Sequence, residues 1–158
     1  MSEMPQEKRR ALILDDNEGN RVLLKFVLEM NNIENREAEN ATAALALWQP
    51  RAFSFAFLDI ELPDINGIEV ARRLRTEDPD IAIIMCSTND QPQALNAAIQ
   101  AGCDMFLIKP FQLDTVLSLA KTMDRAALRA APKVQVIDNR AQSRWEPRVG
   151  QNGVEVNP

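Results

Sequence analysis

Histidine and tyrosine are missing altogether from this 158-residue chain. Their absence removes a histidine general base, a histidine-ligated metal, a phosphohistidine acceptor and a tyrosine nucleophile, so any chemistry must use other groups. Cysteine is nearly missing too: Cys86 and Cys103, each beside apolar residues, are too few for a disulfide framework or a thiolate zinc site and read as reduced thiols of a cytoplasmic protein. Basic charge is in deficit, with 18 Lys and Arg against 23 Asp and Glu and a net charge of -5. That balance argues against attraction to nucleic-acid phosphates or anionic membranes. The densest basic run, Arg72, Arg73 and Arg75, reads as the solvated face of an amphipathic helix. No apolar run nears the roughly 20 residues that cross a bilayer, and MSEMPQEKRR at the start has no apolar stretch behind its charges, so no export signal is expected. What the chain does have is 46% hydrophobic residues, enough for one sizeable core and hardly two.

Short apolar runs alternate with longer amphipathic segments from Arg10 to about Arg129, the pattern of a parallel sheet with crossover helices. Strands are expected at Ala11 to Leu14, weakly near Asn35 to Ala38, at Phe53 to Leu58, Ile81 to Cys86, and Met105 to Ile108. Helices are expected at about 19–31, 41–49, 66–76, 91–101 and 113–129. In the first, Leu23, Phe26, Val27 and Met30 form a core stripe by spacing, and in the last Val116, Leu117, Ala120 and Ala127 do the same. This divides the chain into a flexible N-terminus (1–8), one domain (9–130) and a tail (131–158). The tail is either disordered or a docking segment, with Val134, Val136 and Ile137 extended and Trp145 as an anchor.

Four strand exits carry polar groups: Asp15 and Asp16, Asp59, Ser87 and Thr88, and Lys109 with Pro110. Ligands of open parallel sheets bind at the carboxyl ends of strands, so these exits converge on one site. Three carboxylates there repel one another unless a cation shares them, and magnesium (or manganese) suits a site that keeps waters and takes phosphoryl oxygens. Asp16 or Asn17 could instead simply cap the next helix. Lys109 supplies a cationic clamp and Ser87 a hydroxyl, the parts that stabilise a transferring phosphoryl group. Asp59, ending an apolar strand that should be central, is the natural nucleophile.

The run Leu58-Asp59-Ile60-Glu61-Leu62-Pro63-Asp64-Ile65-Asn66-Gly67, with Asp15-Asp16 upstream, Ser87 28 residues after Asp59 and Lys109-Pro110-Phe111 50 residues after it, resembles the CheY-like receiver domain of two-component response regulators. The resemblance covers residues 9–129. It implies a flavodoxin-like, doubly wound α/β fold with a five-stranded parallel sheet in the order 2-1-3-4-5 and five helices. It also implies Asp59 as phosphoacceptor, Asp15 and Asp16 as metal-site acids, and the backbone carbonyl of Glu61 as a further metal contact. Lys109 would bind the phosphoryl group, and its bond to Pro110 would be cis. Ser87 and Phe106 would form a switch: the hydroxyl moves to a phosphoryl oxygen and the ring turns inward. Partners would read the face made by the fourth helix, fifth strand and fifth helix, through which a phosphorylation-dependent homodimer could also form. Ser87 stands where threonine is more usual and Thr88 where a small residue is, so Thr88 could restrict access to the site; Glu61 and Asn89 flank the approach of water.

The function so implied is that of a stand-alone bacterial response regulator. It accepts a phosphoryl group from a sensor histidine kinase or histidine phosphotransfer protein and signals to an output protein, without direct nucleic-acid or membrane contact. A relay intermediate that passes the group to a phosphotransfer histidine is the alternative. An aspartyl-phosphate phosphohydrolase ranks lower, because Glu61 stands where such enzymes need a second aspartate and there is no cap insertion. A receiver-like module that is never phosphorylated is disfavoured by the joint presence of Asp15, Asp16, Asp59, Ser87 and Lys109.

Overall fold

The computed structural model describes residues 9–138 and 142–148, so the expected flexible N-terminus at 1–8 lies outside it. In chain order the elements are β1 (Arg10–Leu14), α1 (Glu18–Met30), β2 (Glu34–Ala38), α2 (Ala41–Leu47), β3 (Phe55–Asp59), α3 (Gly67–Glu77), β4 (Ala82–Ser87), α4 (Pro92–Gln100), β5 (Met105–Ile108), α5 (Leu113–Thr122), α6 (Arg125–Ala130), β6 (Lys133–Ile137) and β7 (Ser143–Pro147). β1 to β5 are parallel in the order 2-1-3-4-5. β3 and β4 are buried along their whole length, which explains why they read as uninterrupted apolar runs, whereas β2 at the edge is polar.

Two apolar layers sandwich the sheet. On one face Leu12, Leu14, Leu58, Met85 and Phe106 meet Ile68, Leu74, Leu95 and Ile99. On the other Ile13, Phe57, Ile84 and Leu107 meet Leu24, Val27, Val116 and Ala120. The α1 stripe departs from expectation: Leu24, Val27 and Leu28 are buried, Leu23 is only partly covered, and Phe26 and Met30 are 54% and 57% exposed. Two overlapping rows of apolar residues satisfy the same helical spacing in α1, and the crossover angle selects the row shifted by one residue.

The expected fifth helix over 113–129 is two helices. The chain turns at Met123, and Asp124 accepts a hydrogen bond from Ala127 N–H to cap α6. That break takes Ala127 off the α5 stripe and leaves it exposed.

The sheet is also wider than the five strands and five helices expected. β6 adds in parallel to the outer edge of β5, pairing Phe106 with Val136, and β7 returns antiparallel to β6. Val134 and Val136 enter the first apolar layer and Ile137 the second, while Trp145 lies on the outermost strand and is 52% exposed. Asp104, fully buried at the start of β5, ties this extension down. Its carboxylate pairs with Arg75 of α3 at 2.8 Å, Arg129 of α6 at 2.6 Å and Arg148 after β7 at 2.9 Å. Arg75 lies against Gly102, whose φ of 96° and lack of a side chain admit the guanidinium; a Cβ there would fall 2.9 Å from Arg75 Cγ. The basic run 72–75 is consequently no open stripe, since Arg72 pairs with Glu69 and Arg73 with Glu77.

Candidate phosphoacceptor site

β1, β3, β4 and β5 end side by side, and their last residues or the ones just after bring Asp15, Asp59, Ser87 and Lys109 to one edge of the sheet. Lys109 Nζ bridges the two buried carboxylates, 2.8 Å from Asp15 Oδ2 and 3.1 Å from Asp59 Oδ2. Asp15 Oδ1 accepts from Asn17 N–H at 2.9 Å, and Asp59 Oδ1 accepts from Glu61 N–H at 3.2 Å. Asp16 is exposed at the mouth, and its carboxylate lies close enough to those of Asp15 and Asp59 for all three to reach one ion.

The electrostatics is that of a crowded acidic pocket. Burial, reinforced by the charges of Asp15 and Glu61, pushes the Asp59 carboxyl up to about 7 against the pull of Lys109. Burial alone would lower the Lys109 ammonium, but its contacts with Asp15 and Asp59 more than offset this and hold it above its ordinary value. Asp15 Oδ2 is buried and faces the Lys109 ammonium at 2.8 Å. Three carboxylates whose oxygens lie within 4.8 Å of one another, with a single ammonium between two of them, are a donor set that fits a hard divalent cation.

Ser87 is fully buried. Its hydroxyl donates to Glu61 Oε1 at 2.6 Å and accepts from Asn89 N–H at 2.9 Å, so it is turned toward the loop after β3. Thr88 next to it is exposed. Phe106 is 1% exposed, within the apolar layer that holds Val134 and Val136. The Lys109–Pro110 peptide bond is cis, and the Lys109 ammonium lies 5.8 Å from the centre of the Phe111 ring.

Two further residues shape the loop after β3. Gly67 opens α3 directly against the exit of β3, where a Cβ would fall 1.9 Å from the Asp59 carbonyl oxygen. Asp64 accepts from Ala41 N–H, Thr42 N–H and the Thr42 hydroxyl, clamping the loop to the start of α2, and these bonds hold its carboxyl well below the usual range. Both lie inside the run that carried the resemblance, but an invisible close approach and a contact 23 residues away in sequence leave no local periodic signal.

Residues 11–121 match the model of the response regulator receiver domain. The chain belongs to that family. Its members are phosphorylated on an aspartate and bind a divalent metal at an acidic cluster, here Asp15, Asp16 and Asp59. The chemotaxis protein CheY of Bacillus subtilis is 36% identical to this receiver over 117 residues, covering 73% of the chain and 98% of CheY. The virulence sensor protein BvgS of Bordetella bronchiseptica is 34% identical over 134 residues, which cover 80% of the chain but 11% of that sensor. Among solved structures, a CheY-like receiver from Methanospirillum hungatei superposes with a TM-score of 0.67 at 28% identity, covering 73% of this chain and 92% of the other. A response regulator from Burkholderia pseudomallei, described with a phosphorylated aspartic acid and a calcium ion, gives 0.65 at 26% identity over 77% of this chain and 71% of its own. Receivers of this family take their phosphoryl group from histidine kinases.

Proposed function

We propose that the chain is a single-receiver signalling protein that takes a phosphoryl group from phosphohistidine onto Asp59 and signals by binding another protein. The observation that carries this reading is the bridging of Asp59 and Asp15 by Lys109 at a sheet edge that opens to water at Asp16. An Asp59 carboxylate oxygen forms the bond to phosphorus as the P–N bond to imidazole breaks and the imidazole leaves. Lys109 neutralises charge on the phosphoryl oxygens, and its positioning between the two carboxylates requires little reorganisation. Asp15, Asp16, Asp59 and the Glu61 carbonyl would hold magnesium, which offsets the carboxylate repulsion and polarises the phosphoryl group when bound. Similarity across nearly the whole of Bacillus subtilis CheY supports a stand-alone role.

Output begins at Ser87. Its hydroxyl leaves Glu61 to bond a phosphoryl oxygen. The Phe106 ring is already buried without a phosphoryl group, so the expected inward turn of that ring is not what reports the change in this chain. In this chain β6 covers the outer edge of β5, so the output surface comprises α4, α5 and the β6–β7 extension rather than a free fifth strand. The partner that donates the phosphoryl group docks beside the site on α1, where Val22, Phe26 and Met30 form an exposed apolar row at four-residue spacing.

The test is phosphotransfer from a set of phosphorylated histidine kinases and phosphotransfer proteins of the host. Rapid transfer from at least one donor, abolished in Asp59→Asn, is expected; absence of transfer from every donor and from small phosphodonors would overturn the reading. Fast return of the group to a phosphotransfer histidine would make the protein a relay intermediate.

A further inference from the structure

β7 is the last strand of the sheet, and among the described residues nothing pairs with its outer edge. The direction of its backbone groups follows from the hairpin. Asp138 N–H donates to Gln142 O at 3.0 Å, so in the antiparallel ladder the pairs Val136 with Arg144 and Val134 with Glu146 exchange hydrogen bonds across β6 and β7. The intervening residues Ser143 and Trp145 therefore direct both N–H and C=O outward. Pro147, in the same phase, directs only a carbonyl outward and loses no ladder bond by lacking an N–H.

The side chains add a second regularity. Arg144 and Glu146 flank Trp145 and share one face of the sheet, while Trp145 projects from the other beside an apolar groove of about 170 Å³ lined by Met105, Leu119, Met123 and Leu128. The sequence Arg144-Trp145-Glu146 is self-complementary under a two-fold axis through Trp145: Arg144 falls opposite Glu146 of a second copy, and Glu146 opposite its Arg144. The two Trp145 residues then form a hydrogen-bonded pair with Cα atoms about 5.5 Å apart on one face. Trp145 N–H bonds Trp145 O of the other copy, and Ser143 N–H bonds Pro147 O, each twice by symmetry. Nothing in the register leaves like charges opposed. Within one copy Arg144 already lies 3.1 Å from Glu146, so each guanidinium would sit between two carboxylates.

We infer that β7 is a homodimerisation edge, at which two copies of this chain join antiparallel about Trp145 into one continuous sheet. The extension is held for this role by Arg148, which follows β7 directly and is locked to buried Asp104. β2, the opposite edge of the sheet, carries Glu34, Asn35, Arg36 and Glu37 and offers no exposed aromatic residue. The interface lies on an outer strand away from Asp59, so its failure would leave the phosphoacceptor reading intact.

Sedimentation equilibrium of the full chain, up to about 300 μM where an interface below standard size still self-associates, tests the inference. Wild type should fit a monomer–dimer equilibrium. Arg144→Glu and Glu146→Arg, which each oppose like charges, should weaken the dimer at least about tenfold, and the double variant should restore it. Because Arg144 and Glu146 also pair within one copy, the double variant alone does not separate pairing from damage. Mixing the two single variants does, since each chain then still opposes like charges internally while unlike charges meet across the two-fold, and a heterodimer should form; Asp59→Asn should leave the dimer unchanged. A strictly monomeric wild type, a dimer indifferent to both reversals, or open-ended species larger than a dimer would overturn it, the last by placing a second copy's β2 on β7.

Discussion

Asp59→Asn should stabilise the metal-free protein, and by an amount that depends on pH. In the absence of a cation, burial and the neighbouring carboxylates of Asp15 and Glu61 raise the Asp59 carboxyl from 3.8 to about 7. A raised carboxyl means that the fold favours the neutral form. Its favourable contribution is complete below about pH 4 and is lost as the pH rises through about 7. The full shift corresponds to about 4 kcal/mol at 1.36 kcal/mol per unit as an upper bound, and because Asp59 shares its charge balance with Lys109 and Asp15, about half of that, roughly 2 kcal/mol, is expected for the substitution. Asparagine keeps the shape and can still accept the Glu61 N–H, but it carries no charge. Urea unfolding in chelator should therefore place Asp59→Asn about 2 kcal/mol above wild type near pH 8, with the gap closing towards pH 4. Magnesium should recover stability in wild type more than in the variant. A gap that is constant with pH, or that widens in acid, would refute the electrostatic reasoning.

Lys109→Ala should keep the fold but separate labelling from response: Asp59 remains modifiable while partner binding on phosphorylation is lost, and intact coupling in a pull-down with the output partner would count against the Lys109 role. Asp104→Asn leaves Arg75, Arg129 and Arg148 facing a neutral group, so thermal or urea unfolding should show a loss of about 3–5 kcal/mol. Gly67→Ala drives a methyl into the Asp59 carbonyl and should cost about 3 kcal/mol while lowering the rate of labelling; a variant as stable as wild type would mean that α3 can shift freely.

The strand exits of the central sheet were legible because burial on both faces writes itself as unbroken apolar runs, and the polar residue ending each run is conspicuous. Asp15, Asp59, Ser87 and Lys109 followed from that alone, as did the strand order from the family resemblance. Less legible were features set by tertiary geometry. In α1 the sequence offers two apolar rows one residue apart, and only docking on the sheet chooses Leu24 and Leu28 over Phe26 and Met30. The break before α6 depends on the Asp124 cap, which resembles any other exposed aspartate within a helical stretch. β6 reads in sequence as a handful of valines after a proline; its place beside β5 comes from Phe106 facing Val136 and from the Asp104 clamp, a buried carboxylate shared by arginines up to 44 residues away.

The central claim is that Asp59 is the one residue that takes the phosphoryl group. Incubation with magnesium and a small phosphodonor, followed by intact mass and peptide mapping, tests it directly. The account predicts a single added phosphoryl group, confined to the peptide containing Asp59, dependent on the metal and absent in Asp59→Asn. Labelling that persists in Asp59→Asn, or that maps to any other residue of the chain, would contradict it.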